Sequence, residues 1–220
     1  MNSKSLIKII TEIFCYLIFI NVSIAAPVQE NIAKDWVNDT GRKLIDTLSN
    51  SNIEEKYMGL ENIFNEDIDT NYMARFVIGK YWRLMNDEQQ ERYLSLFDRY
   101  AISLYKNYPL DFDTTGLDFN VVSVNQNQKF TDVTCSITLP EQFATETMKN
   151  INVKFKLSQE NNKTKIVDLI LGQSSLLQTY RNRFYNNIKE LDEEMEWFLE
   201  DFHDMVLSSE KTAQEKFDSY

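Results

Sequence analysis

The spacing of apolar residues changes halfway along the chain, and this change limits the fold more than any other feature. Before residue 109, apolar side chains recur every three or four residues, as they do along one face of a helix. After residue 116, they alternate with polar side chains, as they do in a strand with one wet face. A helical half followed by a strand-rich half predicts an α+β fold in one compact unit.

The second half predicts a four-stranded antiparallel sheet, covered on one face by several helices. The alternating positions are Leu117, Phe119 and Val121; Val133, Cys135, Ile137 and Leu139; and Ile151, Val153, Phe155 and Leu157. A fourth strand is predicted over 164–171, after a turn formed by Asn161 and Asn162, which tolerate left-handed backbone geometry. A similar turn over 125–128 joins the first two strands.

The first half predicts helices over about 28–49 and 53–64, a third that starts at Asp69, and a fourth from Asn86 to about 108. Asp69 and Asn86 can cap their helices, and Gly79 interrupts the chain between them. After the sheet, Ser174 and Ser175 can cap a further helix, and an apolar stripe then continues to Val206. The polar residues 208–220 are expected to form a frayed C-terminal tail.

Residues 1–26 have the pattern of a cleaved secretory signal peptide, with Lys4 and Lys8 before an apolar run over 13–20 and small residues at 25 and 26. The run is shorter than the 20 or so residues that span a bilayer. An uncleaved anchor and a buried helix are the alternatives. Cys15 lies within this segment, so the mature chain keeps Cys135 alone, as a small core residue without a disulfide.

The composition argues against several classes of partner. The formal net charge is −11, and a chain this acidic is repelled by phosphate backbones and by anionic membrane surfaces. We therefore expect no nucleic-acid binding.

Catalytic motifs are sparse. The one histidine, His203, has no cysteine or second histidine nearby to complete a zinc site, and no nucleophile elbow or phosphate-binding glycine loop occurs. The carboxylates between 192 and 204 are typical of a solvated helix face, with a cation or basic-partner site as the minority interpretation. Asp168, on an apolar strand, is predicted to form a structural ion pair with Lys165 or Arg181, and an acid–base role is its alternative.

Two segments carry a resemblance to a known family. The first is ARFVIGKYW at 74–82, followed by a capped helix that contains NDEQQERYLSLF. The second joins Asp168 to Ser175, seven residues on, and then to Leu176, Tyr180, Arg181 and Phe184. Together they resemble the MlaC, or toluene-tolerance, family of periplasmic phospholipid-binding proteins, over about 30–200.

The resemblance implies a single lipid-binding domain over 27–207 that encloses an apolar cleft between the sheet and the helices. It implies a periplasmic carrier, not an enzyme, that works as a monomer without a cofactor. Its partners would be phospholipid, an inner-membrane ABC transporter complex with an MCE-type ring, and an outer-membrane lipoprotein complex. Such a carrier would serve outer-membrane lipid asymmetry.

Aromatic clustering and strand alternation select the residues expected to line the cleft, although a stripe of this kind is usually plain core. They are Phe76, Tyr81, Trp82, Phe97, Tyr100, Leu104, Val121, Ile137, Val153, Phe155, Leu169 and Tyr180. Two alternatives remain open. The chain could be a binding or scaffold protein that kept the fold and lost the pocket, or an enzyme that uses Asp168 within the same fold.

Overall fold

A computed structural model describes residues 26–220, and the predicted signal peptide lies outside the described residues except for Ala26. The helices are α1 (Glu30–Leu48), α2 (Ile53–Asp67), α3 (Thr70–Ile78), α4 (Asp87–Lys106), α5 (Leu176–Glu190) and α6 (Met195–Phe217), with a 3-10 helix at Gly79–Leu84. The strands are β1 (Asp118–Gln126), β2 (Thr131–Thr138), β3 (Asn150–Glu160), β4 (Lys163–Leu171) and β5 (Ser174–Ser175). The predicted α+β class and the antiparallel sheet are confirmed.

The sheet has five strands, in the order β1-β2-β3-β4-β5, so the prediction of four strands is wrong. The additional strand, β5, has two residues and pairs with the end of β4 through Ile170 with Ser175 and Leu171 with Ser174. Gly172 makes the connecting turn with a φ of 60°. Two residues are too few to show an alternating pattern, which is why the sequence does not reveal β5.

Capping residues place the helix starts where the sequence predicts them. The Asp69 carboxylate accepts a hydrogen bond from the Tyr72 N–H at 2.8 Å. Asn86 and Gln89 form a reciprocal capping box at the start of α4, and Ser175 caps α5 by accepting from the Gln178 N–H. Side-chain oxygens satisfy backbone donors that the first turn of a helix leaves unpaired.

The α3, α4, α5 and α6 helices share an aromatic core. Tyr93 is fully buried, and its hydroxyl donates to the Ala74 carbonyl at 2.9 Å. Phe184 lies 5.0 Å from Phe202 and 5.6 Å from Phe198, between ring centroids. The aromatic face of α4 formed by Tyr93, Phe97 and Tyr100 therefore packs against rings of the neighbouring helices.

The C-terminal residues are ordered by packing, so the expectation of a frayed tail is wrong. Helix α6 continues to Phe217, whose ring centroid lies 5.2 Å from that of Tyr57, and Ala213 is buried. The Tyr220 hydroxyl accepts a hydrogen bond from the Leu110 N–H at 2.8 Å. Polar composition conceals these few apolar contacts, which are spaced along one face of the helix.

At the other end, Ala26 pairs with Gln159 of β3 through two backbone hydrogen bonds of 3.0 and 2.8 Å. The Val28 side chain is fully buried. The chain leading into α1 is thus attached to the sheet. Among residues 26–220, none of the helices has the length and apolar character needed to cross a membrane.

Candidate ligand-binding site

A cavity of about 470 Å³ lies between the sheet on one side and α1 and α2 on the other. Its walls are almost entirely apolar. They are formed by Trp36, Val37, Thr40, Gly41, Leu44, Ile45 and Leu48 of α1; Leu60, Ile63 and Phe64 of α2; Ile68; Tyr105 of α4; Phe112, Leu117, Asp118 and Phe119; Cys135, Ile137, Leu139, Pro140 and Phe143; and Phe155, Ile166 and Leu169. The volume lies within the range of roughly 300–1,000 Å³ that is usual for ligand pockets.

Helix α1 contributes to the cavity because its lining residues recur at helical spacing. Trp36, Thr40 and Leu44 are four residues apart and so lie on one face. Gly41 lies on the same face, where the Phe119 ring of β1 approaches so closely that a Cβ at position 41 would overlap it. The glycine therefore sets how closely β1 and α1 approach at this wall.

The sheet wall depends on a β-bulge that the alternation pattern does not predict. Leu157 pairs with Ile166 and Lys156 pairs with Asp168, so Val167 has no partner opposite it on β3. Strict alternation along a strand would place Ile166 and Leu169 on opposite faces of β4, but both line the cavity. The additional residue shifts the alternation by one position and turns Leu169 toward the same side as Ile166.

Two loops form the part of the wall nearest to solvent. Phe112 precedes β1, and Phe143 lies in the β2–β3 loop; their ring centroids are 5.3 Å apart in an edge-to-face arrangement. Phe143 is 47% exposed, and Leu44 of α1 is also exposed, so the cavity meets solvent on this side. Asp118, also exposed, is the one charged residue in the wall among the described residues.

Two titratable side chains of the wall have neutral forms stabilised by burial. Cys135 lies in the middle of β2 with no exposed surface, and burial raises the pKa of its thiol to about 11. Burial also raises the pKa of the Tyr105 hydroxyl far above its usual value, with smaller contributions from Glu61 and Tyr57. The cavity therefore contains no buried charge at neutral pH that would oppose an apolar ligand.

Three of the residues that the sequence predicts for the pocket line this cavity, namely Ile137, Phe155 and Leu169. The others lie outside its wall. Phe97, Tyr100 and Tyr81 are buried, while Trp82, Leu104, Phe76 and Tyr180 are partly buried against the same core. Val121 and Val153 flank Cys135 on the neighbouring strands.

Several of these aromatic residues have partners outside the cavity. The Tyr81 hydroxyl donates to the Glu193 carboxylate at 2.7 Å, and the Tyr180 ring lies 6.2 Å from that of Tyr100. The cavity walls formed by α1 and α2 were not predicted, although the apolar stripes of both helices are visible in the sequence. An amphipathic stripe identifies a buried face, and it does not tell whether that face packs tightly or borders a space.

Asp168 is buried, and it joins the sheet to the start of α5. Its carboxylate accepts hydrogen bonds from the Ser175 hydroxyl at 2.7 Å and from the Leu177 N–H at 3.2 Å. The predicted ion pair is wrong, because neither Lys165 nor Arg181 is within ion-pairing distance of it in the described chain. The Arg181 guanidinium instead lies 4.3 Å above the Phe76 ring.

The other candidate chemistry does not converge on the cavity. Asp168 is not part of its wall, and His203 lies on α6. Within residues 26–220, no group of three or more His, Cys, Asp or Glu side chains is arranged to hold a metal ion. The Glu210 carboxylate forms a two-pronged ion pair with Arg99 at 2.7 and 2.8 Å. Arg99 lowers the pKa of this carboxylate, and His203 adds a smaller contribution in the same direction.

An antiparallel sheet with helices packed on it, and with an apolar cavity between the layers, defines an α+β domain with an internal cavity. The chain belongs to the MlaC protein family, whose model matches residues 38–197. No curated protein matches it by sequence. Among solved structures, it is similar to a phospholipid-binding protein from Ralstonia solanacearum determined in complex with a phospholipid. The TM-score is 0.62 and the identity 13%, over 80% of this chain and 98% of the other.

Proposed function

We propose that this protein is a non-enzymatic phospholipid carrier that holds an acyl chain in the cavity between α1, α2 and the sheet. The observation that carries the proposal is the wall of that cavity, which is apolar almost throughout. Membership of the MlaC family and the phospholipid-bound neighbour of the same fold support it. The cavity also favours a carrier over a scaffold protein that has lost its pocket.

The energy of transfer explains why a carrier needs such a space. Moving a 16-carbon chain into water costs about 0.8 kcal/mol per CH₂, or roughly 12 kcal/mol for the chain. The cavity of about 470 Å³ between the sheet and the two helices is the space in which we infer that acyl chains stay out of water.

The proposed place of action is the periplasm, reached through a cleaved signal peptide. There the protein would move phospholipid, as a monomer, between an outer-membrane lipoprotein complex and an inner-membrane ABC transporter with an MCE-type ring. The net charge of −11 disfavours adsorption to anionic lipid surfaces, and therefore favours docking on specific protein partners. No bond is made or broken in such a transfer, so no catalytic group or cofactor is required.

Blocking the cavity tests the proposal. Ile137 lines the cavity from β2, and Ile137→Trp would fill part of the space with an indole ring. Protein is incubated with vesicles that contain a radiolabelled phospholipid, the vesicles are sedimented, and lipid that stays with the protein is counted. We expect wild-type protein to retain lipid in a fixed ratio, and Ile137→Trp to retain at least about tenfold less.

Val122→Trp is the matched control, because Val122 is 63% exposed on the neighbouring strand and lies outside the cavity wall. It should extract lipid as wild-type protein does. Equal extraction by the Ile137 and Val122 variants would show that lipid binds elsewhere.

A further inference from the structure

Two chain segments that meet at one end of the sheet border the opening of the cavity. β1 begins where β2 ends, since Asp118 pairs with Thr138, and β3 begins there too, since Thr138 also pairs with Asn150. The segment before β1 carries Phe112, and the β2–β3 loop carries Phe143. Both rings line the cavity and contact each other, with centroids 5.3 Å apart. Because Phe143 is also 47% exposed, the ring pair lies between the cavity and solvent.

The segment that carries Phe112 is fixed to the body of the protein. Leu110, two residues earlier, is buried. Its N–H donates to the Tyr220 hydroxyl at 2.8 Å, and its carbonyl accepts a hydrogen bond from the buried Lys56 Nζ at 2.7 Å. These bonds attach the segment to the C-terminal residues and to α2, so Phe112 is the fixed side of the ring pair.

The loop that carries Phe143 is attached more weakly. Within residues 26–220, a single hydrogen bond joins residues 140–148 to the rest of the chain: Gln142 Nε2 donates to the Asp113 carbonyl at 3.0 Å. The other hydrogen bonds of the loop run between its own residues. Segments with few contacts to the rest of a protein open locally at a small cost in free energy. The loop is therefore the side of the ring pair that can move.

We propose that the β2–β3 loop is a lid on the cavity, and that Phe143 closes it by packing against Phe112. This inference rests on the proposed function and adds the element that controls lipid exchange. The lid must open before an acyl chain enters and again before it leaves, so it limits both rates and leaves the dissociation constant unchanged. A residue that only forms part of the wall acts differently, because loss of its contacts mainly speeds departure.

The test measures the association and dissociation rate constants of 1-palmitoyl lysophosphatidylethanolamine below its critical micelle concentration. Stopped-flow tryptophan fluorescence follows binding, since Trp36 lines the cavity. Gln142→Ala removes the hydrogen bond that holds the loop, at a residue outside the cavity wall. Phe143→Ala removes the moving ring.

Two controls match these changes. Gln128→Ala alters an exposed glutamine in the β1–β2 turn, at the opposite end of the sheet. Phe155→Ala makes the same substitution as Phe143→Ala at a wall position within β3, away from the loop.

Gln142→Ala should raise both rate constants about threefold to tenfold, the range for one net hydrogen bond, and should keep the dissociation constant of wild-type protein. Phe143→Ala should also raise both, and its dissociation rate constant should rise further because the ring is part of the wall. Phe155→Ala should raise the dissociation rate constant alone. Gln128→Ala should change neither.

An unchanged association rate constant in Gln142→Ala or in Phe143→Ala would overturn the lid. So would a Phe155→Ala protein whose association rate constant rises as much as that of Phe143→Ala, because the effect would then belong to the wall in general. If wild-type protein binds no lysophospholipid, the proposed function itself fails, and that result is distinct from the others.

Discussion

At the residue scale, Asp168 illustrates how sequence and structure can agree on a position and differ on its role. A carboxylate on an apolar strand requires compensation, and the sequence predicted a cation. The structure supplies the Ser175 hydroxyl and the Leu177 N–H, which belong to the start of α5. The seven-residue interval between Asp168 and Ser175 is thus the length of the turn that brings α5 back onto β4.

We predict that Asp168→Asn destabilises the protein by about 2 kcal/mol, because hydrogen bonds to a charged acceptor are the stronger kind. The amide nitrogen cannot accept a hydrogen bond, and the loss of negative charge also weakens the interaction with the positive end of the α5 dipole. Urea unfolding would measure the change. Lipid binding by the folded variant should match wild type, because Asp168 is outside the cavity wall.

Asp46→Asn is the matched control for this change, since it removes the same charge at an exposed position of α1. It should alter the free energy of unfolding by less than about 0.5 kcal/mol. If Asp168→Asn behaves like Asp46→Asn, Asp168 does not anchor α5. If a fully folded Asp168→Asn protein loses lipid binding, Asp168 has a functional role in addition to its structural one.

Cys135 provides a pH-dependent prediction. Its folded pKa of about 11 lies above the value of about 8.5 for an exposed thiol, because burial disfavours the thiolate. The thiol therefore stabilises the folded state below about pH 8.5, and that stabilisation is lost as pH rises through about 11. In a Cys15→Ser chain at pH 8, iodoacetamide should react with Cys135 at least about 100-fold more slowly than in the urea-unfolded chain. Comparable rates would mean that the thiol is exposed.

At the element scale, sequence patterns located the helices and strands well because the signals are local. Asn86 with Gln89 marks the start of α4 through a hydrogen-bond pattern within four residues, and Asn161 and Asn162 adopt the expected positive φ values of 50° and 61°. The bulge at Val167 arises from the way β4 pairs with β3, and β5 exists only through its two-residue pairing with the end of β4. No pattern within β4 alone could have predicted them.

The packing of α6 leads to a prediction about truncation. Deletion of residues 208–220 would remove buried Ala213, the contact of Phe217 with Tyr57, and the ion pair of Glu210 with Arg99. We expect a loss of about 3 kcal/mol of stability from these apolar and polar contacts, measured by urea unfolding. Lys211→Ala, which removes one partner of an exposed pair with Glu215, should have almost no effect. If the truncated chain is as stable as the full one, residues 208–220 do not contribute to stability, as the original expectation of a frayed tail implies.

At the scale of the whole molecule, the sequence predicted the layers but not the location of the space between them. Phe97 and Tyr100 on α4 were expected to line the cleft, and they pack against α5 and α6. The stripes of α1 and α2 looked like ordinary core, yet they border the cavity. Apolar periodicity reports that a face avoids water, whereas the choice between a packed and an open interior depends on how closely the layers approach.

The most direct test of this account is native mass spectrometry of the purified chain, before and after incubation with palmitoyl lysophosphatidylethanolamine. A carrier with an apolar cavity for acyl chains should appear as a complex with this lipid, and Ile137→Trp should appear mainly without it. Wild-type ions that remain lipid-free before and after incubation would contradict the account.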